Sequence, residues 1–148
     1  MIQNVLIDLF ERDLAKLKEE IGAYASEGDL WQTAGAIPNS AGNLCLHLAG
    51  NLRHFFGAVL SGTGYMRDRD AEFAAKFVPR AQLIEEVDAA AADVRATLEK
   101  LTEEDLSKNY PIEVFGKPMT TEFFLVHLAT HLNYHLGQIN YHRRLLAS

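Results

Sequence analysis

The six histidines fall in two stretches of the chain: His47 and His54 in one, and His127, His131, His135 and His142 in the other. Histidine is the commonest metal ligand among side chains and a proton carrier near neutral pH. Residues four apart on a helix stack one turn above another, so His131 and His135 can aim two imidazoles at one point. Metalloproteases use the same spacing, with a glutamate directly after the first histidine. Here Leu132 holds that place, which removes the protease reading. His127 and His131 form a second pair of equal spacing, and spacing alone does not choose between the two pairs.

Two ligands do not make a firm site. Open zinc sites take three protein ligands and leave one position for water or substrate, so a third must come from elsewhere. His47 is the best candidate, standing near the start of the other stretch and followed by an apolar run. Asn51 lies one turn later on the same face and could line the same pocket. His54, seven residues after His47, could supply a fourth ligand and close the site. Taken singly, His54, His127 and His142 read more simply as hydrogen-bonded core residues. Three neutral imidazoles suit zinc, nickel, iron or copper and do not suit magnesium or calcium.

The elements that must position these residues are helices. Ile2, Val5, Leu6, Leu9, Leu17, Ile21 and Tyr24 recur at helical spacing, which predicts a first helix from Ile2 to about Ser26, stopped by Gly28. Pro38 and Asn39-Ser40 announce a second, running to Leu60 and ended by Gly62 and Gly64. Gly50 and Gly57 lie on one stripe of it. Each weakens the helix by roughly 1 kcal/mol relative to alanine, which points to close approach of a neighbouring backbone. Pro79 opens a third helix as its first residue, reaching Leu101. Thr102-Glu103-Glu104-Asp105 reads as a capped turn and Tyr110 to Pro118 as a loop, with room for a short extended pair. Thr120 or Thr121 caps the fourth helix, which reaches Leu146. Between the second and third helices, Gly62 to Phe77 is a long connection carrying Arg67-Asp68-Arg69-Asp70 and Glu72-Phe73. It reads as a solvated or internally paired loop, or as a wall that supplies arginine to an anionic ligand. The expectation is all-α: one four-helix-bundle domain over residues 1–148 with long connections.

Two segments carry a family resemblance. His131-Leu132-Asn133-Tyr134-His135-Leu136-Gly137-Gln138-Ile139, followed by Tyr141 and Arg143-Arg144, resembles the last helix of the DinB-like (damage-inducible protein B) superfamily, where a His-x-x-x-His pair is followed closely by Gly-Gln. Asn43 to Leu52, with His47, resembles its second helix, and Arg67 to Phe73 is similar to a loop in an uncharacterised branch. The resemblance implies an up-down-down-up four-helix bundle, often a homodimer. It selects His47, His131 and His135 as the metal ligands, because His135 is the histidine that precedes Gly137-Gln138, and it favours zinc or nickel. Gln138, a turn beyond His135, would orient a ligand or bond within the bundle. Characterised members of the superfamily include metal-dependent transferases and isomerases that use a low-molecular-weight thiol. The resemblance therefore implies a thiol S-transferase-like enzyme or a hydrolase acting on a small molecule. The alternative is a non-catalytic metal- or ligand-binding bundle that acts as a homo-oligomer; a third reading makes the histidines plain core residues.

Composition narrows the partners. A net charge of -6 argues against nucleic acid and anionic membranes. The one cysteine, Cys45, sits in an apolar run and reads as a buried, inert thiol. The N-terminal stretch carries Asp8 and Glu11 and lacks the basic start of a signal peptide, and no apolar run would span a bilayer. A cytoplasmic location is the corresponding expectation.

Overall fold

A computed structural model describes residues 1–147. Its long elements are α1 (Ile2–Ala23), α2 (Ala41–Leu52) with a π-helical continuation (Arg53–Leu60), α4 (Arg80–Lys100) and α6 (Thr121–Leu146). Two short helices, α3 (Arg69–Ala74) and α5 (Glu103–Ser107), and a 3-10 turn (Glu27–Trp31) lie between them. No helix among the described residues is long and apolar enough to cross a membrane.

Cross-helix bonds set the directions. Gln3, at the start of α1, bonds the Leu98 carbonyl at the end of α4, while Arg80, at the start of α4, donates to the Gly22 and Tyr24 carbonyls. These two helices are antiparallel. Asp13 with Asn133 and Glu20 with Asn140 and Arg143 run α6 parallel to α1. Arg53 with Glu86, and the Phe56 carbonyl with Thr97, run α2 parallel to α4. The result is the expected up-down-down-up bundle, in which α2 and α6 face each other antiparallel. One apolar core joins all four, with Phe10 and Phe56 meeting edge to face at 5.2 Å. Cys45 is fully buried in it, and burial pushes its thiol up to about 12, as an inert thiol requires.

Four local expectations are corrected. The first helix ends at Ala23, before Gly28: Tyr24 turns extended so that its hydroxyl reaches His142 at 2.6 Å, and Arg80 takes the freed carbonyls. The second helix widens into a π-helix from Arg53. Carbonyls released from the regular ladder are bonded by side chains, Phe55 by the Tyr110 hydroxyl at 2.6 Å and Phe56 by Thr97 at 3.1 Å. The connection before the third long helix contains α3, whose N-cap is Asp68, so the charge alternation there disguised a helical turn. Pro79 is the N-cap of α4 and not its first residue. Thr102 and Asp105 form the reciprocal capping box that the sequence suggests, and Thr120 caps α6. The loop after α5 closes through a single antiparallel bridge between Asn109 and Thr120.

The ion pair that clamps α1 to α6 makes a stability prediction. Glu20 is 2% exposed and bonds Arg143 at 2.7 Å and Asn140 at 2.8 Å. Burial raises its carboxyl, but the Arg143 and Asn140 bonds outweigh that and hold it below the ordinary range. A depressed folded-state value contributes stability above the unfolded value of 4.5 and loses it as pH falls through the lower folded one. Glu20→Gln should cost about 2 kcal/mol at neutral pH, because Arg143 loses its charged partner. The variant should also lose less stability than the native chain between neutral pH and pH below 4.5, read from urea midpoints across that range.

Candidate metal centre

His47 sits in the middle of α2, buried, where the helix faces α6. Ser40 caps α2 by accepting from the Asn43 amide, and Asn43 in turn donates to the Glu72 and Ala75 carbonyls. That ties the start of α2 to α3. His131 and His135 stand one turn apart on α6, both half-buried. The Nε2 of His131 lies 3.2 Å from the Nε2 of His47 and 3.1 Å from that of His135. The three ligand nitrogens fall within 4.8 Å of one another, and among the described residues this is the one group of three or more histidine, cysteine or acidic side chains so placed.

The outer nitrogens decide what faces inward. His47 Nδ1 lies 3.1 Å from Glu72 Oε1 and 3.4 Å from Arg67 Nη2. Arg67 already gives Nη2 and Nε protons to the two Glu72 oxygens, at 3.0 and 2.9 Å. The carboxylate is the closer partner of His47, so Nδ1 carries its proton and donates to Glu72. His135 Nδ1 donates to Gln138 Oε1 at 2.7 Å. Both rings therefore turn a bare Nε2 lone pair toward His131. One proton on His131 Nε2 can serve only one of them. Burial first, then the neighbouring His135 and His47, lowers His131 to about 4, so the ring is neutral at physiological pH.

His131 Nε2 stands 3.2 and 3.1 Å from the other two nitrogens, with at most one proton among the three, an arrangement poorly matched to hydrogen bonds and well matched to a cation. Tetrahedral ligands about 2.0–2.1 Å from zinc would stand about 3.3–3.4 Å from one another, close to the two distances from His131. The His47–Glu72 and His135–Gln138 bonds are the outer contacts that orient metal-bound imidazoles. His131 lacks one: its Nδ1 is buried with no partner. His47, His131 and His135 could thus hold a metal ion, and the all-imidazole donor set fits a borderline transition metal.

The other expected site residues divide. Asn51 is buried one turn after His47 and lines a small cavity with Arg67, Arg69, His127 and His131. His127 stacks over Phe124 at 6.0 Å and adds no ligand to the cluster. His54 packs edge-on to Phe55 and likewise supplies no nitrogen there, so no fourth histidine closes the site. His142 is a structural residue, held between the Tyr24 hydroxyl and the Gln32 carbonyl. Glu72 was not anticipated. Gly50, one turn after His47, admits it: a Cβ there would overlap the Glu72 carboxylate. The stripe of Gly50 and Gly57 thus marks close approach of carboxylates, Glu72 and Asp93, where the sequence suggested a backbone.

The fold and this site define an all-α bundle of the DinB-like type carrying three convergent histidines. A DinB-like protein (YjoA) from Bacillus subtilis has the same fold, with a TM-score of 0.71 and 19% identity over 97% of this chain and 92% of that one. A conserved protein from Enterococcus faecalis superposes with a TM-score of 0.75 and 21% identity, covering 98% of this chain and 96% of that one. No curated protein matches the chain significantly. The chain belongs to the family described as "Protein of unknown function (DUF1572)", whose model matches residues 4–148.

Proposed function

We propose that this protein is a metal-dependent enzyme acting on a small molecule, through one zinc or nickel ion held by His47, His131 and His135. The observation that carries the reading is the convergence of three ligand nitrogens within 4.8 Å, with the Nε2 atoms of His47 and His135 at 3.2 and 3.1 Å from that of His131 and their rings oriented by Glu72 and Gln138. A metal in such a site supplies Lewis acidity and an open position for a thiolate, water or carbonyl oxygen. The chain supplies the rest. Glu72 and Gln138 hold protons on the outer nitrogens, and Phe73 covers the His47 ring at 4.8 Å, shielding it from water.

Two openings flank the histidines. On the His135 and Gln138 side lies a cavity of about 580 Å³ walled by Ile37, Pro38, Tyr134 and Tyr141. On the His47 and His131 side lies the smaller one containing Asn51. Access from both sides supports a transfer between two reactants, one of them a low-molecular-weight thiol, over a buried structural metal; hydrolysis is the version in which water takes the place of the thiol. A homodimer belongs to the same proposal, supported by Val5, Val126 and Tyr134, which leave an apolar stretch exposed along α1 and α6.

The test is elemental analysis of untagged protein. About one zinc or nickel per chain is expected, and His135→Ala should lose it while keeping its helical circular dichroism. Native protein that takes up neither metal after incubation with both would refute the reading.

A further inference from the structure

The smaller cavity holds polar groups that a three-histidine site has no use for. Its volume is about 220 Å³, and its apolar walls are Phe55, Phe115, Phe124 and Leu128. Asn51 is 7% exposed and lines it, yet its side chain makes no hydrogen bond and its Oδ1 is buried without a partner. A buried amide oxygen left unbonded is destabilising unless something supplies a donor.

Two guanidinium groups stand on the rim. Arg67 spends Nε and Nη2 on Glu72, which leaves Nη1 without a partner among the described residues. Arg69, on the first turn of α3, meets no carboxylate at ion-pair distance among the described residues and lies over the Phe73 ring at 5.2 Å. Of the acidic neighbours, Glu72 is committed to Arg67 and His47, and Asp68 caps α3. A cation, a second guanidinium edge, an unmet acceptor and an aromatic wall therefore surround one small space beside the histidines.

We propose that this cavity binds a small carboxylate with an aromatic or branched apolar body and a hydrogen-bond donor. Its carboxylate meets Arg69 and the free edge of Arg67, its body lies among Phe55, Phe115 and Phe124, and its donor bonds Asn51 Oδ1. The role of that ligand as substrate rests on the metal-enzyme reading above; its binding does not.

The test is calorimetric titration with 3-hydroxybenzoate of the native protein, Arg69→Gln and Asn51→Leu, each with and without one equivalent of zinc, with zinc content measured on every sample. The native protein should bind the probe with or without zinc. Arg69→Gln, an exposed position that leaves the fold intact, should weaken binding about tenfold or more, as should replacing the probe by neutral 3-hydroxybenzamide. Asn51→Leu should weaken 3-hydroxybenzoate and spare benzoate, which lacks the donor. Equal binding of the benzamide, undiminished binding by Arg69→Gln, binding only with zinc (direct metal ligation), or no binding at millimolar probe would overturn the proposal. Protein that binds the carboxylate through Arg69 but takes up neither zinc nor nickel after incubation with both would keep this cavity and remove the metal reading instead.

Discussion

Glu72→Ala is expected to weaken zinc or nickel binding about 10- to 100-fold, although Glu72 touches no metal position itself. The carboxylate acts through His47. Its bond at 3.1 Å places the proton on Nδ1 and so presents Nε2, as a lone pair, to the centre. Without it, Arg67 Nη2, 3.4 Å from the same nitrogen, becomes its nearest donor and favours the opposite tautomer, with the proton on Nε2 where the metal must bind. Electrostatics compound the change, because a cation loses an anion one ring away and keeps Arg67 nearby. Glu72→Gln distinguishes the contributions: its amide oxygen can still accept from Nδ1, so the charge is lost but not the tautomer, and the affinity should fall between native and alanine. A competition titration against a chromophoric chelator reads all three. Equal affinities would show that Glu72 serves only to anchor α3.

That effect hangs on a residue the sequence did not advertise, and the reason is physical. Periodicity reports which face of a helix is apolar and threonines mark helix starts, so the four long helices and a cap at Thr120 or Thr121 could be read in advance. His131 and His135 share one helix and their geometry follows from a single rise per residue. His47 needed the bundle topology, which came from the resemblance of two motifs. Glu72 lies 25 positions from His47 in a charged run whose alternation resembles solvated loop. Nothing local distinguishes a carboxylate that folds inward with Arg67 from one that faces water. The π-helix was invisible for a related reason: it depends on Tyr110 and Thr97 reaching carbonyls 55 and 41 positions away. The one local trace of Glu72 was Gly50, a costly residue in mid-helix that implied a close neighbour without naming its chemistry.

Gly50 turns that trace into the second prediction, which is a reversal of sign. In an ordinary helix, Gly→Ala stabilises by about 1 kcal/mol, since alanine loses less backbone freedom on folding. At position 50 the new methyl would overlap a carboxylate end. A side chain free to swing would yield cheaply, but Glu72 is fastened by Arg67 at 2.9 and 3.0 Å and by His47 at 3.1 Å. It can move only by giving up those bonds, or by pushing α3 away from α2 and straining the Asn43 contacts to Glu72 and Ala75. Gly50→Ala should therefore destabilise the metal-free protein by about 1–3 kcal/mol, in the range of overpacked cores. It should also weaken metal binding, because the displaced carboxylate no longer sets His47. In a Glu72→Ala background the obstacle is gone, and the same Gly50→Ala change should stabilise by up to about 1 kcal/mol. Urea midpoints of the four proteins complete the cycle. A Gly50→Ala protein as stable as or more stable than the native chain, with unchanged metal affinity, would mean that Glu72 does not sit against α2 and does not orient His47.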